Sequence, residues 1–350
     1  MKLKLSPQLA IRNNNSYSFR VIQVLKESHR AISLTVEPLE GEIKNPIPGQ
    51  YVLFTLEINN VSYSRYYSIS ALVSNENYYR LTIQKVDSGF VSNWLFDNSF
   101  LGMPCQISEP MGSFHLLSED WKKNRNFAFF SAGSGMTPIM PILTLLAKEH
   151  ASFHSQVFLS FKEPKDFLFQ DEILKLQNSY QNIDVNVNFS RMPSKSKVYS
   201  YGRIAVQEIL IKCPDIVARK VFICGPGGYV ESLTSILADI GILTENIISE
   251  IFSVNAPDHY KDSIFDVVFN DSGTVVQANG DKTLLELAES SGLYIPSVCR
   301  NGLCGACIVR VKGETTGGCT EVLSSQSILD GNRLACCTYP IGTCEVVNDI

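Results

Sequence analysis

No stretch of this chain stays apolar for long. The greasiest run, "PIMPILTLLA", is short and holds two prolines, and the opening "MKLKLSPQLAIRNNNS" has lysines without an apolar run behind them. Neither a signal peptide nor a membrane span is therefore expected. Positive charge is not in excess either. The net charge is −5, with both signs mixed along the chain, so there is no basic stripe to meet the phosphates of a nucleic acid. Histidine is scarce, with five in all and none after His259, and the glycine fingerprint G-x-G-x-x-G is absent. What remains is a 350-residue globular chain, 45% hydrophobic, long enough for two or three domains.

Cysteine is plentiful but uneven: seven of the ten lie from Cys299 onward. In "PSVCRNGLCGACIVR", Cys299, Cys304 and Cys307 fall within nine residues broken by Gly302 and Gly305. A disulfide framework belongs to small exported domains, so a metal or cluster site in a reducing cytoplasm is the better reading. Structural zinc sites pair one C-x2-C with another or with histidines. Here C-x4-C-x2-C is followed far downstream by "LACCTYP", the spacing of a plant-type [2Fe-2S] cluster.

The flanking pattern agrees. "IFDVVFNDSGTVVQA" reads as a hairpin, and "DKTLLELAESSGL" sets Thr283 and Glu286 at capping-box spacing with Leu284, Leu287 and Ala288 on one helical face. Together these segments resemble a plant-type ferredoxin domain over residues 263–350. The resemblance implies that Cys299, Cys304, Cys307 and Cys336 are the iron ligands, with Cys337 the alternative to Cys336, because "RLACCTYP" aligns on the family's "VLACxxxP". Cys319 and Cys344 have no counterpart and are expected to be small apolar filler.

The first third reads as an antiparallel β-barrel. Ile32, Leu34 and Val36 alternate with polar residues, as do Val52, Phe54, Leu56 and Ile58, then Tyr79, Leu81 and Ile83. Within it, "SRYYSIS" and the later "DSGFVSNWL" resemble the R-x-Y-S/T and G-x-x-S/T elements of the ferredoxin-NADP reductase superfamily, and "EPMGSF" resembles the segment that closes its flavin domain. That resemblance implies that Arg65 meets the flavin phosphate, Tyr67 stacks on the isoalloxazine and Ser68 lies near flavin N5. Gly89 and Ser92 are implied at the pyrophosphate, where a helix start supplies free amides.

The middle third changes period. "NFAFFSAGSGMTPIMPILTLLAKEH" reads as a buried strand, a glycine turn and a helix with Ile139, Ile142, Leu143 and Leu146 on one face. "KVFICGPGGYVESLTSILADIG" repeats the unit with Leu233, Ile236, Leu237 and Ile240, so a parallel α/β sheet is expected. In family order, "AGSGMTP" and "CGPGG" resemble the two nicotinamide-nucleotide loops. The resemblance assigns Gly133, Gly135 and Thr137 to the pyrophosphate turn, Cys224, Gly225 and Pro226 to the nicotinamide, and Phe252 to the cover of the flavin. Ser68, Cys224 and Glu250 are the residues it places at the reacting rings. Ser190 and Arg191 resemble the Ser-Arg of NADP-dependent relatives, with Lys197, Tyr199 and Arg203 following, so NADPH is expected with NADH as the alternative.

The domains expected are thus 15–117 for FAD, 118–252 for the nucleotide, a linker at 253–262 and 263–350 for the ferredoxin. In this order the chain looks most like the phenylacetyl-CoA epoxidase reductase and hybrid-cluster protein reductase group. Phthalate-type relatives, which also carry the ferredoxin last, hold FMN, but "EPMGSF" and G-x-x-S favour FAD. The resemblance implies electron transfer from NAD(P)H through FAD and a [2Fe-2S] cluster to a partner oxygenase, hydroxylase or similar acceptor. No catalytic role is expected for any histidine. A redox-sensing module without sustained turnover is the competing class, and the intact nucleotide loops favour the enzyme. From Asp262 onward eleven Asp or Glu stand against five Lys or Arg, so the ferredoxin segment carries the chain's acidity, which suits a basic partner and equally serves solubility.

Overall fold

The computed structural model describes residues 16–73, 77–87, 89–116, 125–149, 153–191, 199–253, 264–298, 300, 302, 304–317 and 322–348. They form three sheets, each on its own stretch of sequence.

The first sheet has strands β1 (Ser16–Ser28), β2 (Ala31–Pro38), β3 (Tyr51–Ile58), β4 (Val61–Ser68), β5 (Tyr79–Gln84) and β6 (Pro104–Ser108), in the order β4-β3-β6-β1-β2-β5. Each pairing is antiparallel, and a bridge from Ile69 to Leu81 joins the two ends of that order, closing the sheet into a barrel. The β3–β4 hairpin turns through Asn59 and Asn60, both at positive φ, as a two-residue primed turn requires. All ten apolar residues read from the alternating strands lie in the barrel core. The polar residues between them on β2 do not face water: Ser33 and Thr35 are buried. Ser33 bonds Thr82 at 2.7 Å, and Thr35 donates to Gln23 at 3.1 Å, which satisfies both hydroxyls. Helix α1 (Phe90–Asn98) follows β5 and buries Val91 and Leu95 in the same core.

The second sheet is parallel, with β7 (Asn126–Ala132), β8 (His154–Phe161), β9 (Ile183–Phe189), β10 (Ser200–Tyr201), β11 (Lys220–Pro226) and β12 (Ile247–Ser253) in the order β10-β9-β8-β7-β11-β12. Its helices are α2 (Met136–Glu149), α3 (Gln170–Ser179), α4 (Val206–Lys212) and α5 (Gly227–Ile240). Both faces are covered, as a parallel sheet needs: Phe127 and Phe129 pack with Ile139, Ile142, Leu143 and Leu146 of α2, while Ala128 and Phe130 pack with Leu233 and Leu237 of α5. Strand order reverses between β7 and β11, so the crevice beyond their carboxyl ends is where such a sheet binds a ligand. The two glycine turns lie there.

The third sheet has β13 (Phe265–Phe269), β14 (Thr274–Ala278), β15 (Ile308–Gly317), β16 (Asn332–Leu334) and β17 (Thr338–Val347), ordered β14-β13-β17-β15-β16, with helices α6 (Leu284–Ser290) and α7 (Ser325–Leu329). The hairpin β13–β14 is antiparallel and β13 runs parallel to β17. At α6 the capping box forms: the Glu286 amide donates to Thr283 Oγ1 at 3.2 Å and the Thr283 amide to Glu286 Oε2 at 2.8 Å. Caps of this kind are worth about 1 kcal/mol. Leu284, Leu287 and Ala288 are buried, as their spacing predicts.

Strand β12 runs through Ser253, and residues 254–263, most of the expected linker, lie outside the described residues. Among the described residues no helix is long and apolar enough to cross a membrane.

Candidate flavin, nucleotide and cluster sites

Strand β4 carries the first candidate site on the barrel wall. Ser68 is buried, Tyr67 meets Phe54 edge-on at 5.9 Å between ring centroids, and burial raises the Tyr67 hydroxyl pKa. Arg65 is the unusual member. Its Nη1 donates to the Ser64 carbonyl at 2.7 Å, yet no carboxylate pairs with it among the described residues. Burial, and then the nearby charge of Arg300, pull its pKa down to about 10. A largely buried guanidinium without a counter-charge suits a phosphate, which its planar fork grips in two places.

The second element opens beside it. Gly89 is the N-cap of α1, whose first turn has no acidic residue and no side-chain cap, so its amides are open to an anion. A side chain cannot replace that glycine, because a Cβ there would stand 2.9 Å from both Ser92 Oγ and Val86 Cβ. Ser92 Oγ in turn accepts from the Val86 amide at 3.3 Å, which fixes the turn leading into the helix. "EPMGSF" folds back on the start of β3: Met111 bridges Tyr51, and Gly112, at φ 107°, passes against the Tyr51 ring.

At the crevice of the parallel sheet the two nucleotide loops touch. Gly133 takes a positive φ of 55°, and a Cβ on Gly135 would lie only 2.0 Å from the Cys224 carbonyl oxygen. Thr137, buried in the first turn of α2, donates to the Ser134 carbonyl at 2.8 Å and holds the loop closed. The buried hydroxyl of Ser131, at the end of β7, has no hydrogen-bond partner among the described residues and is available to a ligand. Gly225 packs between Ala132 and Tyr229. Neither Ser131 nor Tyr229 stood out in the sequence. Tyr229 follows "CGPGG" directly, and that position was the available signal.

Cys224 and Glu250 face each other in register on β11 and β12, with Sγ 4.0 Å from Oε2. Burial raises the thiol pKa well above its ordinary value and pushes the Glu250 carboxyl up to about 8. Around neutral pH the pair is therefore uncharged, a thiol beside a carboxylic acid able to donate one proton to a hydrogen bond. Phe252 sits where the β11–β12 register slips and packs against the core that holds Cys224. Such a slip re-aims the side chain.

The expected nucleotide-specificity residues are less gathered. Ser190 and Arg191 are exposed after β9, with their amides bonded to Phe161 and Lys162 carbonyls at 2.9 Å. Tyr199 packs edge-on against Phe189 at 5.1 Å, Arg203 is exposed, and Lys197 lies outside the described residues.

In the third domain the Ala335 amide donates to the Cys307 carbonyl at 2.9 Å, which brings the segment carrying Cys336 alongside that carrying Cys307. The Ala306 amide donates to Cys304 Sγ across 3.5 Å, and Gly302 and Gly305 take φ of 74° and 73°, which lets the backbone turn sharply around that sulfur. Cys336 and Cys337 have their sulfurs 3.4 Å apart. Cys299 lies outside the described residues, and among the described ones no three metal-binding side chains converge. Cys344, on β17, is buried as filler, its thiol pKa raised to about 11 by burial. Cys319 is outside the described residues. The thiol chemistry of Cys304, Cys307 and Cys336, on segments brought alongside by the Ala335–Cys307 bond, suits a thiolate-held cluster, although among the described residues no three of these side chains converge.

Comparison with known proteins gives the same three parts. The families described as oxidoreductase FAD-binding domain, oxidoreductase NAD-binding domain and 2Fe-2S iron-sulfur cluster binding domain match residues 19–116, 129–234 and 267–340. The chain is 27% identical over 357 residues to the glycine betaine monooxygenase reductase subunit of Chromohalobacter salexigens, covering 93% of this chain and 94% of that one. It is 28% identical over 295 residues to NADH oxidoreductase HCR of Escherichia coli, covering 84% and 86%. Among solved structures, phthalate dioxygenase reductase shares the fold over 96% of this chain and 98% of that one, with a TM-score of 0.66 at 19% identity. A barrel, a doubly wound sheet and a cysteine-loop domain, each with its own binding chemistry and in this order, make the chain an oxidoreductase with FAD-binding, NAD-binding and C-terminal 2Fe-2S domains in the fold of phthalate dioxygenase reductase.

Proposed function

We propose that this oxidoreductase is the reductase component of an oxygenase or hydroxylase system, working in the cytoplasm and passing electrons from a nicotinamide nucleotide to a separate protein. The observation that carries the flavin end of this reading is Arg65, a largely buried cation without a carboxylate partner among the described residues, two residues before Tyr67 and three before Ser68. Relatives named as monooxygenase reductase subunits, similar over nearly the full length, support the acceptor class.

FAD, when bound, would supply the conversion of a two-electron hydride into single electrons, and a [2Fe-2S] cluster would supply one-electron carriage. The chain's residues bind and orient. Arg65 and the open start of α1 hold phosphates, Tyr67 and Phe252 enclose the ring from the barrel and from the nucleotide domain, and Ser68 stands at its reactive edge. Gly133, Gly135 and Thr137 shape the turn that holds the nucleotide pyrophosphate. Gly225 and Pro226 flank the nicotinamide with Cys224, and Glu250 keeps a proton beside it. Cys299, Cys304, Cys307 and Cys336 are the iron ligands. We assign residues 15–117, 118–252 and 263–350 to the three domains. NADPH is the proposed donor, with Ser190 and Arg191 at the 2′-phosphate. The likeness to NADH oxidoreductase HCR of Escherichia coli favours NADH.

FAD titration into the apoprotein tests the flavin assignment. Losing a charge-assisted bond removes about 1.5–3 kcal/mol, so Arg65→Ala weakens FAD binding by about ten- to a hundredfold. Affinity within twofold of wild type overturns the role given to Arg65.

A further inference from the structure

One arginine bridges the barrel and the nucleotide domain. Arg80, near the start of β5, has a side chain 15% exposed. It donates from Nη1 to Glu172 Oε1 at 2.6 Å and from Nη2 to Glu172 Oε2 at 3.1 Å, a forked pair with the first turn of α3. The same Nη2 donates to the Ser70 carbonyl at 2.7 Å. Ser70 lies two residues beyond Ser68, and its amide donates to the Arg80 carbonyl at 2.8 Å, so backbone and side chain tie this end of the flavin strand to Arg80. The guanidinium also lies 4.9 Å from the ring of Phe169, which is buried in the left-handed conformation at φ 56°. A bulky residue holds that conformation only when its surroundings fix it.

Two further contacts share the burden. His29 Nδ1 lies 3.0 Å from the Lys165 carbonyl, and Phe167, Leu168 and Phe169, between that anchor and Glu172, are buried in the nucleotide-domain core. At the other end of β5, Gln84 reaches Gly133: a Cβ on that glycine would stand 3.4 Å from Gln84 Oε1. Strand β5 thus runs from the arginine to the first nucleotide loop.

We propose that Arg80 is a positioning residue for hydride transfer: through Ser70 and Glu172 its guanidinium sets the flavin strand against the nucleotide domain and so fixes the distance between the two ring sites. The proposal rests on the reading that residues 65–68 hold the flavin and the two glycine turns the nucleotide. Lysine cannot replace it, because a single ammonium does not span two carboxylate oxygens and a carbonyl in one plane. Small displacements of reacting atoms have large effects on rate.

The test is anaerobic stopped-flow reduction of the flavin by saturating NAD(P)H in full-length wild type, Glu172→Gln and Arg80→Lys, with FAD and nucleotide dissociation constants measured alongside. Glu172 is partly exposed, so its amide variant retains the fold. Both variants are expected to slow flavin reduction about tenfold, with both dissociation constants within twofold of wild type. A merely structural role predicts weaker FAD binding or a lower melting temperature with an unchanged reduction rate in the flavin-loaded fraction, and that result overturns the proposal. A wild-type flavin that NAD(P)H does not reduce overturns the site reading, and the proposal with it.

Discussion

Single residues decide two of the chemical assignments. Cys336 and Cys337 present neighbouring sulfurs, and both are buried. Cys336 alone falls in register with the ligand of the "VLACxxxP" pattern that "RLACCTYP" resembles. Cys336→Ser is therefore expected to abolish or grossly perturb the [2Fe-2S] absorption and EPR signals, and Cys337→Ser to leave them intact. The reverse pattern reassigns the ligand. Glu250 yields a prediction in pH. Burial raises its pKa from 4.5 to about 8, so the folded chain keeps a proton that the unfolded chain has lost. Its contribution to stability is full below pH 4.5 and falls as pH rises through about 8. Across that window the melting temperature of the apoprotein should fall more in wild type than in Glu250→Gln. Parallel curves for the two proteins would remove the proton from Glu250.

Among elements, the glycine turns carry the sharpest constraint. Gly135 abuts the Cys224 carbonyl so closely that Gly135→Ala must push the two nucleotide loops apart. Overpacking of this kind costs about 1–3 kcal/mol. We expect the variant to keep its FAD and lose most NAD(P)H-driven ferricyanide reduction, read as flavin content against turnover. The loop after β9 gives a second test. Arg191→Ala should raise the KM for NADPH far more than that for NADH, whereas equal effects exclude contact with a 2′-phosphate.

These elements were legible where chemistry is local in sequence. Cysteine spacing, the Thr283–Glu286 cap and the apolar faces of α2 and α6 each follow from residues a few positions apart. The burial of Ser33 and Thr35 was not legible, since alternation on β2 predicts solvent there and the partners of Ser33, Glu27 and Thr82, lie on the two neighbouring strands. Nor was Arg80, whose carboxylate partner is 92 residues away in another domain. Contacts between domains leave no period and no motif in either partner.

The whole molecule divides unevenly. Barrel and nucleotide domain share a core, in which Ala31 and Phe114 of the barrel segment pack with Phe222 and the α2 residues, and they are joined by Arg80 and His29. Among the described residues, the ferredoxin core draws only on those from Phe265 onward. From that domain Arg300, ion-paired with Glu289, lies near enough to Arg65 for its like charge to lower the Arg65 pKa while Glu289 raises it. A chain ended near Asn255 is expected to fold, because every residue proposed to hold flavin or nucleotide precedes that point.

That truncation tests the linear order from nucleotide to flavin to cluster most directly. Purified beside the full-length protein, it should bind FAD stoichiometrically and reduce ferricyanide with NAD(P)H at a comparable rate, while its cytochrome c reduction drops to a small fraction. A soluble, folded truncation that lost FAD or ferricyanide reduction along with cytochrome c reduction would contradict the account, because the ferredoxin domain would then be part of the flavin site.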